Sequence, residues 1–264
     1  SGWNFKPLSK VPANNVLVVN AANQKDLHLY SILDECIVED SASQFIGLIA
    51  CRKLTIKPRR NKLSMIGTFI LNEINILSLA DGKRSTIPFQ EPVYTIGLIG
   101  NPEIEATTIR YSYISLNRPN TLYEYDLATG ESKKLKEQEI PSGFNPDNYV
   151  VERLWADAPD GVKVPMAIVY KKGMKKNGNN PALIYSYGSY GSSSDVFFSP
   201  VFYSLIDRGY VFAIAQIRGG SDLGEQWYED GKLLKKINTF TDFIACTEKK
   251  KKKKYSCAEK MSAM

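Results

Sequence analysis

Histidine is almost absent: His28 is the only one in 264 residues. A histidine base or metal ligand would have to rest on that residue alone. The four cysteines, Cys36, Cys51, Cys246 and Cys257, form no C-x-x-C pair. That excludes a zinc ribbon or dithiol motif and favours reduced, mostly buried thiols in a cytoplasmic protein over disulfides. No apolar run approaches the roughly 18 residues that a membrane span needs. No basic stretch followed by an apolar one opens the chain, so nothing indicates secretion. Also lacking is Gly-x-Ser-x-Gly, the turn that carries a hydrolase nucleophile. Gly219-Gly220-Ser221-Asp222-Leu223 has leucine where the second glycine belongs, and Ser189 in Gly188-Ser189-Tyr190-Gly191 fails as well. Both serines read as loop residues.

Charge of one sign is scarce outside a single run. The formal net charge is +6, and Lys249 to Lys254 supply six lysines, so the remainder is neutral. A local run does not make a nucleic-acid surface. Hydrophobic content of 43% with 23% charged residues is ordinary globular composition, enough for one large domain or two small ones.

The pattern divides the chain in two. Residues 1–148 read as all-β, with apolar stretches at Val16–Asn20, Ser43–Ala50, Met65–Leu71, Asn75–Leu79, Tyr94–Gly100, Thr108–Ser115 and Thr121–Asp126. Turns follow at Asp81-Gly82, Asn101-Pro102 and Thr129-Gly130-Glu131. Strand text running into a turn, Leu122 to Glu131 and again Ile76 to Gly82, suggests repeated propeller blades or a sandwich. In residues 149–264, strands at Val151–Asp157 and Lys163–Tyr170 flank a turn at Pro159-Asp160-Gly161. A polar loop, Lys171–Asn180, leads to a short strand at Ala182–Tyr187. Ser199 and Pro200 then offer a helix start and Gly209 its end. Tyr210–Ile217 is a strand buried on both faces, and Thr239–Cys246 begins another helix. This alternation implies a parallel sheet with crossovers.

Several motifs in order carry a resemblance. They are Tyr187-Gly188-Ser189-Tyr190-Gly191, Ile217-Arg218-Gly219-Gly220, the stretch Gln226 to Lys232, and Asn238 to Phe243. With Ile87 to Pro92, Arg110 to Tyr113 and Glu152 to Trp155, they resemble the prolyl oligopeptidase family of serine peptidases, with oligopeptidase B as the branch most alike. The resemblance implies a β-propeller, of which 1–148 would be the last blades, followed by the first part of an α/β-hydrolase domain in 149–264. It implies cleavage of short basic peptides after Arg or Lys, with no metal or cofactor, while the charge and hydropathy pattern gives no sign of a nucleic-acid or membrane partner.

What the resemblance implies about the site is partial. The nucleophile motif would follow Met264, with Lys260–Met264 as the strand leading to it, and the acid and base would come later. The chain alone is therefore expected to be inactive. Tyr187 matches the tyrosine whose hydroxyl serves the oxyanion hole; its other reading is a buried aromatic with its hydroxyl bonded elsewhere. Asp195 matches one member of an acidic pair that holds a basic substrate residue, and Phe197 stands at the second position; otherwise Asp195 is a turn or helix-entry residue. Arg218 is expected to pair with a carboxylate and shape its loop, and Trp227 and Tyr228 to be core or interface aromatics.

Two further expectations concern the end of the chain. Phe240, Phe243 and Ile244 share a helical face, and the lysine run falls where that stripe should continue. The run is either a solvated helix surface or a coding region that has departed from the packed pattern. A different class of function stays open too: a non-enzymatic propeller fragment that binds peptides or a partner through an unpaired sheet edge.

Overall fold

The computed structural model of the chain describes residues 57–59, 62–66, 73–78, 84–99 and 106–264. The strands expected at Val16–Asn20 and Ser43–Ala50, the turns at Asp81-Gly82 and Asn101-Pro102, and His28, Cys36 and Cys51 lie outside those residues.

Two four-stranded sheets come first. Strands β1 (Lys57–Arg59), β2 (Lys62–Ile66), β3 (Ile74–Ser78) and β4 (Arg84–Thr86) make an antiparallel meander. Ile74 and Ile76 are buried on one face of β3, the period of two expected of a half-buried strand. Strands β5 (Tyr94–Leu98), β6 (Thr108–Ser115), β7 (Arg118–Asp126) and β8 (Ser132–Glu137) follow in sequential order. Asp126 ends β7 and folds the next turn, its carboxylate accepting from the Ala128 and Thr129 N–H groups at 2.8 and 2.9 Å. Every residue of β8, Ser-Lys-Lys-Leu-Lys-Glu, is exposed. A lysine-rich edge strand resists pairing with other chains.

The third sheet has the order β13-β11-β12-β10-β9. Its strands are β9 (Tyr149–Asp157), β10 (Lys163–Lys171), β11 (Ala182–Tyr185), β12 (Val211–Ala215) and β13 (Met261–Ala263). β9, β10 and β12 pair antiparallel, whereas β12, β11 and β13 run parallel. The expected parallel arrangement thus holds for the last three strands only. β9 and β10 are joined by the hairpin at Pro159-Asp160-Gly161, where Gly161 takes φ +83° and donates to Ala158 O. A short hairpin can only return antiparallel.

β10 and β12 are buried on both faces, as their continuous apolar text predicts. Val164, Met166, Ile168, Val211, Ala213 and Ala215 pack on one side. Ala167, Val169, Phe212 and Ile214 pack on the other. Helix α1 (Pro200–Ile206) begins at Ser199 as expected, and Gly209 closes its turn at φ +94°. Helix α2 (Glu225–Glu229) is one short turn, and α3 (Ile237–Lys252) is the longest described helix.

The stripe expected to seat α3 is corrected in part. Phe240 and Ile244 are each 58% exposed, and only Phe243 packs partly against the core. The buried positions are Thr239, Asp242, Ala245, Cys246 and Lys250. Two polar bonds set this rotation. Asp242 pairs with buried Arg218, and the Thr239 hydroxyl donates to Arg218 O at 2.7 Å. The lysine run is consequently solvated except at one place: Lys250 is 0% exposed, and its ammonium has no partner among the described residues.

The described chain forms two compact units. One holds the described residues up to Phe89 with those of Gly97–Tyr111 and Glu124–Lys133; the other holds Gln90–Ile96, Ser112–Tyr123 and Lys134–Met264. Among the described residues, no helix is long and apolar enough to cross a membrane.

Candidate active site

The loop 186–195, which leaves the C-terminal end of β11, carries both residues singled out from sequence. Ser186 fixes its start. Its N–H donates to Met264 O at 3.3 Å, and its hydroxyl donates to Ala215 O at 2.6 Å. Met264 N–H in turn donates to Ile184 O at 2.9 Å, so the end of β13 lies beside the root of the loop.

Tyr187 comes next and is 52% exposed. Its hydroxyl has no hydrogen-bond partner among the described residues, so the alternative of a buried, satisfied aromatic does not describe it. Gly188 follows with φ +63°, and glycine is required there twice over. A Cβ would lie 2.6 Å from Ile217 Cγ1 and 2.8 Å from Thr239 Cγ2, in a backbone region that side chains disfavour. Gly191, at φ +64°, donates to Gly219 O at 3.0 Å and lies against the Tyr228 ring. The two glycine-rich stretches of the sequence therefore pack on each other.

Asp195 is exposed at the far end of the loop. Phe197 joins an aromatic cluster instead, with ring centroids 6.0 Å from Tyr185 and 6.3 Å from Phe212. The position that would carry a second carboxylate is thus given to packing.

Beneath the loop is a carboxylate that the sequence did not flag. Asp222 is 2% exposed and accepts from Ser194 N–H at 2.8 Å. Its other oxygen and the Ser194 hydroxyl are both buried without a hydrogen-bond partner among the described residues. Burial raises its pKa to about 7, backbone donors pull against that, and the Asp195 charge adds to it. Its only signal in the text was an acidic residue inside Gly219–Gly224, a stretch that reads as a turn.

Arg218 and Asp242 form the rigid floor. Arg218 Nη2 meets Asp242 Oδ1 at 2.6 Å, and Nε and the backbone N–H both donate to Oδ2, at 2.8 and 3.0 Å. Nη1 reaches Asp160 at 2.5 Å. These hydrogen bonds to Asp242 and then Asp160 hold the guanidinium far above its ordinary pKa, so it stays charged. This agrees with a structural role for Arg218. Trp227 is buried and donates its indole N–H to Gln216 O at 3.1 Å.

Lys236 is the second group that sequence reasoning missed. Its ammonium donates to Gly188 O at 2.5 Å and to Ser189 Oγ at 2.8 Å. A lysine at a helix start, where Ser, Thr, Asp or Asn is preferred, was the available signal.

Comparison with known proteins fixes the class. Residues 196–264 match the prolyl oligopeptidase family, and residues 53–138 match the prolyl oligopeptidase N-terminal beta-propeller domain. The chain belongs to the prolyl oligopeptidase family, with propeller strands followed by an α/β-hydrolase sheet. It is 47% identical to dipeptidyl aminopeptidase BI of Pseudoxanthomonas mexicana over 186 residues, 70% of this chain and 26% of that protein. It is 38% identical to Protease 2 of Moraxella lacunata over 211 residues, 80% of this chain and 29% of that protein. The solved structure of oligopeptidase B from Leishmania major superposes with a TM-score of 0.71 at 36% identity, covering 81% of this chain and 31% of that one. The chain thus spans between a quarter and a third of the length of these relatives.

Proposed function

We propose that this chain supplies the substrate-facing part of a cytoplasmic serine oligopeptidase that cleaves short peptides after Arg or Lys without metal or cofactor. Acyl transfer by serine needs a nucleophile, a base and donors for the tetrahedral oxyanion. Of these, residues 1–264 contribute a donor, the hydroxyl of Tyr187. The carrying observation is that Tyr187 is exposed and its hydroxyl has no hydrogen-bond partner among the described residues, on the loop beside the end of β13. A preorganised donor free of other bonds is suited to a charge that develops only in the transition state. Asp195 would meet a basic substrate side chain at the same loop, with one carboxylate where two would clamp harder because Phe197 packs inward.

Nucleophile, acid and base are not among these residues, so the chain by itself should not hydrolyse peptides. Purified chain incubated with an Arg-containing fluorogenic peptide is expected to give no turnover that a serine-directed reagent blocks. Serine-reagent-sensitive turnover would overturn that part of the reading.

A second reading rests on the outer edge of β13, the outermost strand of its sheet among the described residues. That edge could take a strand from a peptide or partner protein. Saturable binding of an extended peptide that is lost on substituting proline at Ala263, whose N–H faces away from β11 because its neighbour Met264 bonds to that strand, would support it; absence of such binding would remove it.

A further inference from the structure

We propose that Lys236 is the positioning residue of Tyr187, an inference that rests on the oxyanion role given to Tyr187 above. The argument starts from what the tyrosine lacks. A residue 52% exposed, with no hydrogen-bond partner for its hydroxyl among the described residues, is only partly held by its own contacts. Its orientation therefore depends strongly on the backbone that carries it.

That backbone is clamped at the next residue. Gly188 is wedged against Ile217 and Thr239 on its Cα side. Its carbonyl is closely approached by Gly219, where a Cβ would come 2.2 Å from the oxygen. From α3, the Lys236 ammonium donates to the same carbonyl at 2.5 Å and to the Ser189 hydroxyl at 2.8 Å. The peptide following Tyr187 is thereby fixed by packing on one side and by a charge-assisted bond on the other.

Local helix energetics oppose a lysine here. Lys236 is the N-cap residue of α3, and no side chain caps that helix. A cation at a helix N-terminus faces the positive end of the macrodipole. Partial burial disfavours the charge further, pulling the lysine pKa below its ordinary value. A residue that goes against its own helix, yet places its donors on the loop of Tyr187, is what a site requirement looks like.

The test uses the full 264-residue chain with 3-fluorotyrosine at position 187 alone, read by fluorine NMR, together with amide hydrogen exchange. In the wild type we expect one narrow resonance and protected Gly191 and Ser192 amides, which bond to Gly219 O and Ser189 O. Lys236→Met should split or broaden the resonance and speed exchange of those two amides about tenfold or more, with β10 and β12 unchanged. Lys236→Arg should restore both. Lys236→Gln serves if the methionine variant does not fold. An unchanged resonance and exchange in Lys236→Met, or faster exchange spread evenly through the sheet, would overturn the proposal. Neither readout depends on catalysis. The oxyanion role stands or falls separately, on the kcat of Tyr187→Phe in a polypeptide that also contains the nucleophile, acid and base.

Discussion

Replacing Lys250 by methionine should make the protein more stable. The lysine sits on the inner face of α3 with 0% exposure, and its ammonium has no partner among the described residues. Burial lowers its pKa from 10.5 to about 8, and the neighbouring Cys246 offsets this only in part. One pKa unit corresponds to about 1.4 kcal/mol, so at neutral pH the buried charge costs about 3 kcal/mol. This is an upper figure, because a long stem can lean its head toward water. The sign follows from proton counts. Between pH 8 and 10.5 the unfolded chain holds a proton that the folded one has released, so stability rises with pH across that window. Below it the penalty is fully present. Lys250→Met keeps the stem volume and removes the charge. Urea unfolding at pH 7 should show a gain of roughly 1–3 kcal/mol, shrinking as the pH is taken from 8 toward 10.5. A methionine variant that is less stable at pH 7, or a gain that does not change with pH, would refute the reasoning.

Other perturbations test the rest of the account. Asp242→Asn leaves the Arg218 guanidinium buried with a weakened partner, and urea unfolding should show a loss of about 3–5 kcal/mol. Glu152 accepts from Lys176 and Tyr255 at 2.8 and 2.6 Å and also from Tyr170. Against burial, these bonds hold its pKa below the ordinary value. The stability they give is present above the unfolded pKa of about 4.5 and fades as pH falls through the lower folded one. Melting temperatures of Glu152→Gln should therefore be lower near neutrality and fall less steeply on acidification than those of the wild type. Gly188→Ala places a Cβ against Ile217 and Thr239 at positive φ, and its melting temperature should drop; an unchanged value would contradict the tight loop. Tyr187→Phe removes a hydroxyl with no hydrogen-bond partner among the described residues, so stability should stay within about 0.5 kcal/mol.

Much of the fold was legible because its signals are local. β6 occupies Thr108–Ser115 as read from its text, and β9, β10 and β12 lie within two residues of their expected bounds. The turn at Pro159-Asp160-Gly161 and the start of α1 were equally plain. The inner face of α3 was not, because its rotation is set by Arg218, distant in sequence and close in space. Hydrophobic periodicity favoured Phe240 and Ile244, yet a bidentate ion pair and a threonine bond turned Asp242 and Thr239 inward. Asp222 and Lys236 escaped for the same reason: each is a common loop or helix-end residue until the loop 186–195 is laid against it. Tyr187 and Asp195 were legible only through resemblance, and both are exposed on the loop 186–195.

The central claim is that the Tyr187 hydroxyl stabilises the oxyanion. Its most direct test is kcat and KM for an Arg-containing peptide in a catalytically complete polypeptide that contains residues 1–264, with and without Tyr187→Phe. Loss of one such donor should lower kcat about 10²- to 10³-fold with KM nearly unchanged. A kcat within about twofold of the unsubstituted protein would contradict it.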